Sequence, residues 1–96
     1  MVEERSTVSN VVLMSSRLDP SWSVLASYET FETDRCVDVF SRPDGTCGFE
    51  EFRQDPEDLG VWTPISYFSG HEYPTESQAR EAAIRLVPWL GPLLNR

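Results

Sequence analysis

The segment that most constrains the fold is a tight turn at residues 42–46, with the sequence Arg42-Pro43-Asp44-Gly45-Thr46. Proline presets φ for the second position of a type I turn, and aspartate suits the third position. Glycine then accepts the left-handed conformation that closes a three-residue hairpin loop with a bulge. The segment therefore predicts two neighbouring antiparallel strands, one on each side of the turn.

If Arg42 pairs with Thr46, the same turn also predicts which residues of the two strands face each other. Phe40 then faces Gly48, as an aromatic ring that covers a strand glycine. The other predicted pairs are Cys36 with Phe52, Val37 with Glu51, Asp38 with Glu50, Val39 with Phe49 and Ser41 with Cys47. Cys36 and Cys47 are then roughly 15 Å or more apart along the strands, at ~3.3 Å per residue, which is too far for a disulfide.

Hydrophobic periodicity extends this hairpin to an α+β fold. Alternating apolar residues predict an antiparallel sheet of about four strands, at approximately 21–31, 35–42, 47–54 and 61–68. Pro64 in the last of these indicates an edge strand or a bulge. A C-terminal helix is predicted at approximately 76–87, with Thr75 and Gln78 as a capping box and Pro88 after its end. Small alanines on its apolar side predict close packing on one face of the sheet.

The chain length of 96 residues suits one domain, since domains cluster around roughly 100–150 residues. The first twenty residues lack a sustained hydrophobic period, and their apolar run at 11–14 lies among serines. We therefore predict a flexible N-terminal segment at 1–20 and a single α+β domain at 21–96.

The charge balance excludes several classes of partner. The net charge is −8, from sixteen acidic residues against eight cations, all of them arginine. Polyphosphates bind proteins through cations that displace their counterions, so this balance disfavours nucleic acid and anionic membranes. No apolar run approaches the roughly 20 residues of a membrane-spanning helix, and the acidic start is unlike a secretory signal. We therefore expect a cytoplasmic protein with reduced cysteines.

No group of catalytic or metal-ligating residues stands out in the sequence. His71 is the single histidine, and Glu72 beside it points the opposite way in an extended segment. The carboxylates between Glu50 and Asp58 lack the spacing of a calcium loop, and the two cysteines lack the spacing of a zinc site. Neither cysteine has an evident activating base, and the glycines form no phosphate loop. We predict a non-enzymatic protein with no cofactor.

Aromatic residues on both faces of the predicted sheet indicate a site of association. A single helix covers one face, so the other would expose Phe40 and Phe52, with Trp62 nearby. Residues 1–20 or the apolar C-terminal tail could instead wrap over that face. Our leading interpretation is a domain that associates through the exposed face, as a homodimer or with another protein.

Two other interpretations stay open. A small-ligand-binding domain, or an enzyme, would have a pocket between sheet and helix, lined by Trp62, Tyr67 and Trp89. An acidic decoy would instead occupy the basic, nucleic-acid-binding surface of another protein.

The sequence elements DG, GFEEFR, DPED, W and VPWL occur at 44–45, 48–53, 55–58, 62 and 87–90. Together they resemble small bacterial proteins of similar length that have no established activity, so the resemblance implies no site residues. The order of three strands and a helix is also similar to that of double-stranded-RNA-binding domains. Those domains have basic residues at the start of the last helix, whereas 74–78 here reads Pro-Thr-Glu-Ser-Gln. The similarity is therefore limited to the shape of the fold, with its order of strands and helix, and does not extend to RNA binding.

Overall fold

A computed structural model describes residues 18–32, 34–57 and 61–95. Its four strands form one antiparallel sheet in the order β1-β2-β3-β4, so strands that follow one another in the chain are neighbours. The strands are β1 (Ser23–Glu29), β2 (Arg35–Ser41), β3 (Cys47–Gln54) and β4 (Trp62–Pro64). A 3₁₀ helix (Phe68–Gly70) and the helices α1 (Glu76–Leu86) and α2 (Leu90–Leu94) follow. The predicted fold class, an antiparallel sheet with a C-terminal helix, is confirmed.

The β2–β3 hairpin has the predicted turn and register. The N–H of Arg42 donates to the carbonyl oxygen of Thr46 across 2.8 Å, and Gly45 has the left-handed φ of 92° that closes the loop. All six predicted cross-strand pairs are present, and so is a seventh at the strand ends. A Cβ atom at Gly48 would lie 2.9 Å from Cζ of Phe40, so only glycine leaves room for this ring.

One face of the sheet packs against the helices and forms the main core. Its buried members are Tyr28, Val37, Val39, Cys47, Phe49, Ala79, Ala82, Ala83, Val87 and Leu90. Helix α1 begins after Thr75, whose hydroxyl accepts a hydrogen bond from the N–H of Gln78 across 3.1 Å. It ends before Pro88, as predicted, because proline has no N–H to continue the helical ladder.

The opposite face of the sheet is also buried. Trp22 stacks on Phe40 with ring centroids 4.6 Å apart, and the guanidinium of Arg42 lies 4.8 Å from the Trp22 ring. Phe40 and Phe52 both have 0% of their surface exposed. The prediction that these two side chains lie exposed is therefore wrong, and for Phe40 the covering groups are Trp22 and Arg42. Alternation along β3 and β4 places Trp62 on the same face as Phe52, where it is half-buried.

The edge strands are shorter than predicted. Strand β1 carries a bulge between Val24 and Ala26, and β4 ends at Pro64, although the N–H of Ile65 still donates to the carbonyl oxygen of Glu51 across 3.0 Å. The chain then leaves the sheet edge and returns at Tyr73, which exchanges two hydrogen bonds with Cys47 of β3 at 2.7 and 2.9 Å. Most of the predicted flexible segment at 1–20 lies outside the described residues.

The loop between β4 and this bridge, residues 66–72, is held from two sides. The carboxylate of Glu50 accepts hydrogen bonds from the N–H groups of Phe68 (3.2 Å) and Ser69 (3.0 Å). The guanidinium of Arg42 donates to the carbonyl oxygens of Ser69 (2.6 Å) and His71 (3.2 Å). Two charged side chains of the hairpin therefore fix a loop that has little regular structure of its own.

A candidate interaction cleft

An open cleft of 350 Å³ lies between the loop that joins β1 to β2 and the C-terminal helix α2. Its lining residues are Thr30, Phe31, Glu32, Trp89, Pro92 and Leu93. Large apolar side chains thus stand on both sides of the cleft, and Glu32 brings a carboxyl group to its wall. We call this feature the β1–α2 cleft.

The first wall is a loop held by its own hydrogen bonds. The N–H of Thr30 donates to the carbonyl oxygen of Arg35 across 3.1 Å, and its hydroxyl donates to the Asp34 carboxylate across 2.9 Å. These bonds close the hairpin and leave Phe31 at its tip. Phe31 is 83% exposed, the highest fraction of any large apolar side chain in the described ranges. Exposure of a phenyl ring forgoes about 1.5–3 kcal/mol of burial energy, so Phe31 contributes little to the stability of the core.

The second wall is the short helix α2, which the sequence predicted only as an apolar tail. Pro88 follows the end of α1, and Trp89 is the N-cap residue of α2. Leu90 is fully buried in the core and fixes α2 against the sheet. The indole N–H of Trp89 donates to the Glu51 carboxylate across 2.8 Å, which fixes the orientation of the ring. Glu51 itself is on the helix-facing side of β3 and only 6% exposed.

The β1–β2 connection on one side of the cleft is rich in carboxylates. Residues 29–35 contain the carboxylates of Glu29, Glu32 and Asp34 against the single cation of Arg35. Glu51 adds a further carboxylate directly behind the indole of Trp89. Carboxylates thus outnumber cations in the hairpin connection that forms one wall of the cleft.

The residues predicted to line a pocket between sheet and helix do not come together. Trp89 lines the β1–α2 cleft, but Trp62 lies on the opposite face of the sheet, away from the helices. Tyr67 is 69% exposed and precedes the 3₁₀ helix with a left-handed φ of 56°. Trp62 lies away from the helices because the register of β4 pairs it with Gln54, which turns its side chain away from α2.

The other groups considered for chemistry lie apart from one another. His71 is exposed, and Cys36 and Cys47 are buried on opposite faces of the sheet without a disulfide between them. Burial raises the pKa of the Cys47 thiol, which disfavours the reactive thiolate, and the nearby Glu76 raises it further. Within 18–32, 34–57 and 61–95, no three His, Cys, Asp or Glu side chains are grouped so as to hold a metal ion. None of the described helices is long and apolar enough to cross a membrane.

Sequence reasoning missed Phe31, Pro92 and Leu93 as site residues. One signal was available, because Phe31 is a large aromatic residue next to the polar turn that begins at Glu32. Turns favour small polar residues, so an aromatic side chain at a hairpin tip points to a role outside the core. The sequence of the α2 wall contains no comparable indication, because Leu93 belongs to an apolar run and such a run also suits a buried segment.

No protein family, curated protein or solved structure matches this chain.

Proposed function

We propose that this chain is a non-enzymatic cytoplasmic domain that associates with another protein through the β1–α2 cleft. The observation that carries the proposal is the position of Phe31, an almost fully exposed aromatic side chain beside a cleft whose other wall contains Trp89. Aromatic residues are enriched in protein interfaces, and tryptophan in particular is frequent among the residues that dominate binding energy. A cytoplasmic location fits the two cysteines, which lie on opposite faces of the sheet and cannot bond to each other.

Hydrogen bonds hold side chains on both walls of the cleft. The hydrogen bond to Glu51 holds the indole of Trp89, and the buried Leu90 holds the helix that carries it. On the other wall, the hydrogen bonds of Thr30 hold the loop below Phe31. Binding to a preorganised surface costs less conformational entropy, which favours affinity.

The proposed association surface is the β1–α2 cleft and not a face of the sheet. The sequence pointed to a sheet face that contains Phe40, Phe52 and Trp62, but the first two of these side chains have no exposed surface. A partner could reach them only after the domain had opened. The β1–α2 cleft offers exposed aromatic surface without any such rearrangement.

The test is a selection of peptides from a random library displayed on phage, against the immobilised full chain. We expect peptides that bind the natural chain and lose at least about tenfold in affinity for the Phe31→Ser variant. Tyr67→Ser is the matched control, since it removes another exposed aromatic side chain away from the cleft. Failure to enrich any peptide, or binding that is indifferent to Phe31→Ser, would contradict the proposal.

A second candidate is the binding of a small molecule at the same place. The cleft volume of 350 Å³ supports it, since ligand sites in proteins range over roughly 300–1,000 Å³. A small-molecule panel in a thermal unfolding assay separates the two candidates, because a ligand of the native state raises Tm. A compound that stabilises the natural chain but not Phe31→Ser, together with a failed peptide selection, would favour the small molecule.

A further inference from the structure

We propose that the partner binds as an extended segment, which adds a further strand to the sheet along the outer edge of β1. The outer edge is the side of β1 that faces away from β2. This inference rests on the proposed function, because it takes the ligand to be another protein and names the conformation of the segment that binds. Its contacts are to the backbone of β1.

Strand β1 is the long open edge of the sheet. The strand order β1-β2-β3-β4 places it at one end, and no strand in the described part of the chain pairs with its outer edge. It covers seven residues, Ser23–Glu29, with one charged side chain, that of Glu29, and no proline. Such an edge presents unpaired N–H and carbonyl groups to another extended chain.

The opposite edge of the sheet is protected against pairing. Strand β4 has only three residues, and Pro64 at its end has no N–H to donate. Tyr73 pairs with Cys47 farther along β3. Short edge strands and prolines are means by which proteins prevent edge pairing. The contrast between the two edges therefore favours β1 as the place where a strand is added.

The register of β1 shows which of its backbone groups point outward. The N–H of Thr30 donates to the carbonyl oxygen of Arg35 across 3.1 Å, so this N–H points inward, toward the β2 side. Successive residues of an antiparallel strand alternate in direction, and the register continues without a shift from Glu29 back to Ser27. The N–H and carbonyl groups of Ser27 and Glu29 therefore point toward the open edge.

The side chains of β1 indicate what kind of segment fits. Ala26 and Tyr28 lie on the helix-facing side, where Tyr28 is part of the core and the partly buried Ala26 packs against it. Residues of an added strand opposite these two would form non-hydrogen-bonded pairs, in which facing side chains are closest. Apolar side chains there would extend the core. The segment should therefore have apolar residues two positions apart.

The edge of β1 leads directly to the β1–α2 cleft. The strand ends at Glu29, and the next residue, Thr30, lines the cleft. A segment paired along the whole of β1 would span roughly 23 Å at ~3.3 Å per residue, with one end beside the cleft. One partner segment can therefore contact both the edge and the cleft.

A second copy of the chain is a poorer occupant than a segment of another protein. Each copy has a net charge of −8, so repulsion opposes the pairing of two β1 edges. A partner segment with few acidic residues avoids that repulsion.

The first experiment removes donors from the bound segment one at a time. Peptides enriched in the phage selection are resynthesised with a methyl group on each backbone nitrogen in turn. An added strand directs every second N–H toward β1, so the affinity for the natural chain should fall at least about tenfold at alternate positions and little at those between. Losses without this period, or no loss at any position, would overturn the inference.

The second experiment removes one outward donor from β1. Glu29→Pro lacks the N–H that points to the open edge, and Glu29→Val is the matched control, since it also loses the carboxylate but keeps that N–H. Proline is tolerated in an edge strand where its nitrogen faces outward, so circular dichroism should show a native fold. We expect peptides to bind Glu29→Pro at least about tenfold more weakly than Glu29→Val. Equal affinity for the two folded variants would overturn the inference, and if Glu29→Pro does not fold, the methylated peptides decide on the natural chain.

The outcomes separate this inference from the function on which it rests. Peptides that depend on Phe31 but show no alternate pattern would overturn strand addition and leave the cleft as the association surface. Peptides that show the pattern and bind Phe31→Ser normally would support strand addition and contradict the cleft as the contact. A selection that yields no peptide would overturn both. A dimer that Glu29→Pro disrupts and Glu29→Val does not would overturn the choice of a separate partner.

Discussion

The indole N–H of Trp89 donates a hydrogen bond to the carboxylate of Glu51 across 2.8 Å, between residues that are 38 positions apart in the chain. It joins helix α2 to strand β3 and satisfies an oxygen of a carboxyl group that is almost fully buried. The same bond orients one wall of the β1–α2 cleft. Stability and the proposed contact surface therefore depend on one pair of side chains.

The Trp89→Phe variant should lose about 1–3 kcal/mol of unfolding free energy, because it removes the donor and leaves the Glu51 carboxylate without that partner. Glu51→Gln should lose less, since the amide oxygen still accepts the bond. Urea denaturation of both variants measures the difference. Equal losses for the two variants, or no loss in Trp89→Phe, would show that the bond adds little to stability.

The Gly48→Ala variant should lower the unfolding free energy by about 1–3 kcal/mol through overpacking, because the added methyl group would meet the ring of Phe40 at 2.9 Å. The matched control is Gly70→Ala, where no atom lies within 4 Å of the added carbon. Thermal or urea denaturation should show a loss in the first variant and nearly none in the second. Similar stability of the two variants would mean that the ring of Phe40 moves aside without cost.

The Arg42→Lys variant should loosen residues 66–72. Nη2 of Arg42 donates to the carbonyl oxygens of Ser69 and His71 while Nη1 donates to Thr46 and Cys47, and a single ammonium nitrogen cannot serve both sets. Amide hydrogen exchange of residues 66–72 should accelerate about tenfold or more, corresponding to the loss of at least ~1.4 kcal/mol of local protection. Arg80→Lys, on the exposed side of α1, is the control and should leave the loop unchanged. Unchanged exchange in Arg42→Lys would show that Glu50 holds the loop without help.

Acid should weaken the β2–β3 turn through Asp44. The backbone N–H of Thr46, and then its hydroxyl, donate to this carboxylate and hold its pKa below the ordinary value of 3.8. A carboxyl group whose pKa is lower in the folded chain contributes stability that is fully present above 3.8 and disappears as the pH falls through the lowered pKa. Asp44→Asn keeps an acceptor oxygen but does not titrate, so the stability difference between the natural chain and this variant should shrink on acidification. A difference independent of pH would contradict the assignment.

The chain should have a solution mass of 11.0 kDa at low ionic strength, because the net charge of −8 on each copy opposes self-association. Static light scattering over a range of protein concentrations, at low and high salt, measures this directly. A stable dimer at low salt would instead favour a second copy of the chain as the partner.

Local chemistry made the β2–β3 hairpin predictable. The turn at 42–46 closes through neighbouring residues, and the register follows from it, so Phe40 faces Gly48 as the sequence indicated. Helix α1 was predictable for the same reason, since Thr75 and Pro88 act on residues within one or two turns. The candidate site was largely not predictable. Trp89 was identified as a site residue, but its partners across the cleft were not.

The sequence by itself therefore determined the fold class, the hairpin register, the limits of α1 and the acidic charge, all of which depend on residues close in the chain or on composition. Only the tertiary structure decided which side chains are buried. Trp22 covers Phe40, and Glu51 binds the indole of Trp89, through contacts between distant positions. Such contacts leave no periodic signal, because each depends on how whole elements pack in space, and the β1–α2 cleft exists only where two of those elements meet.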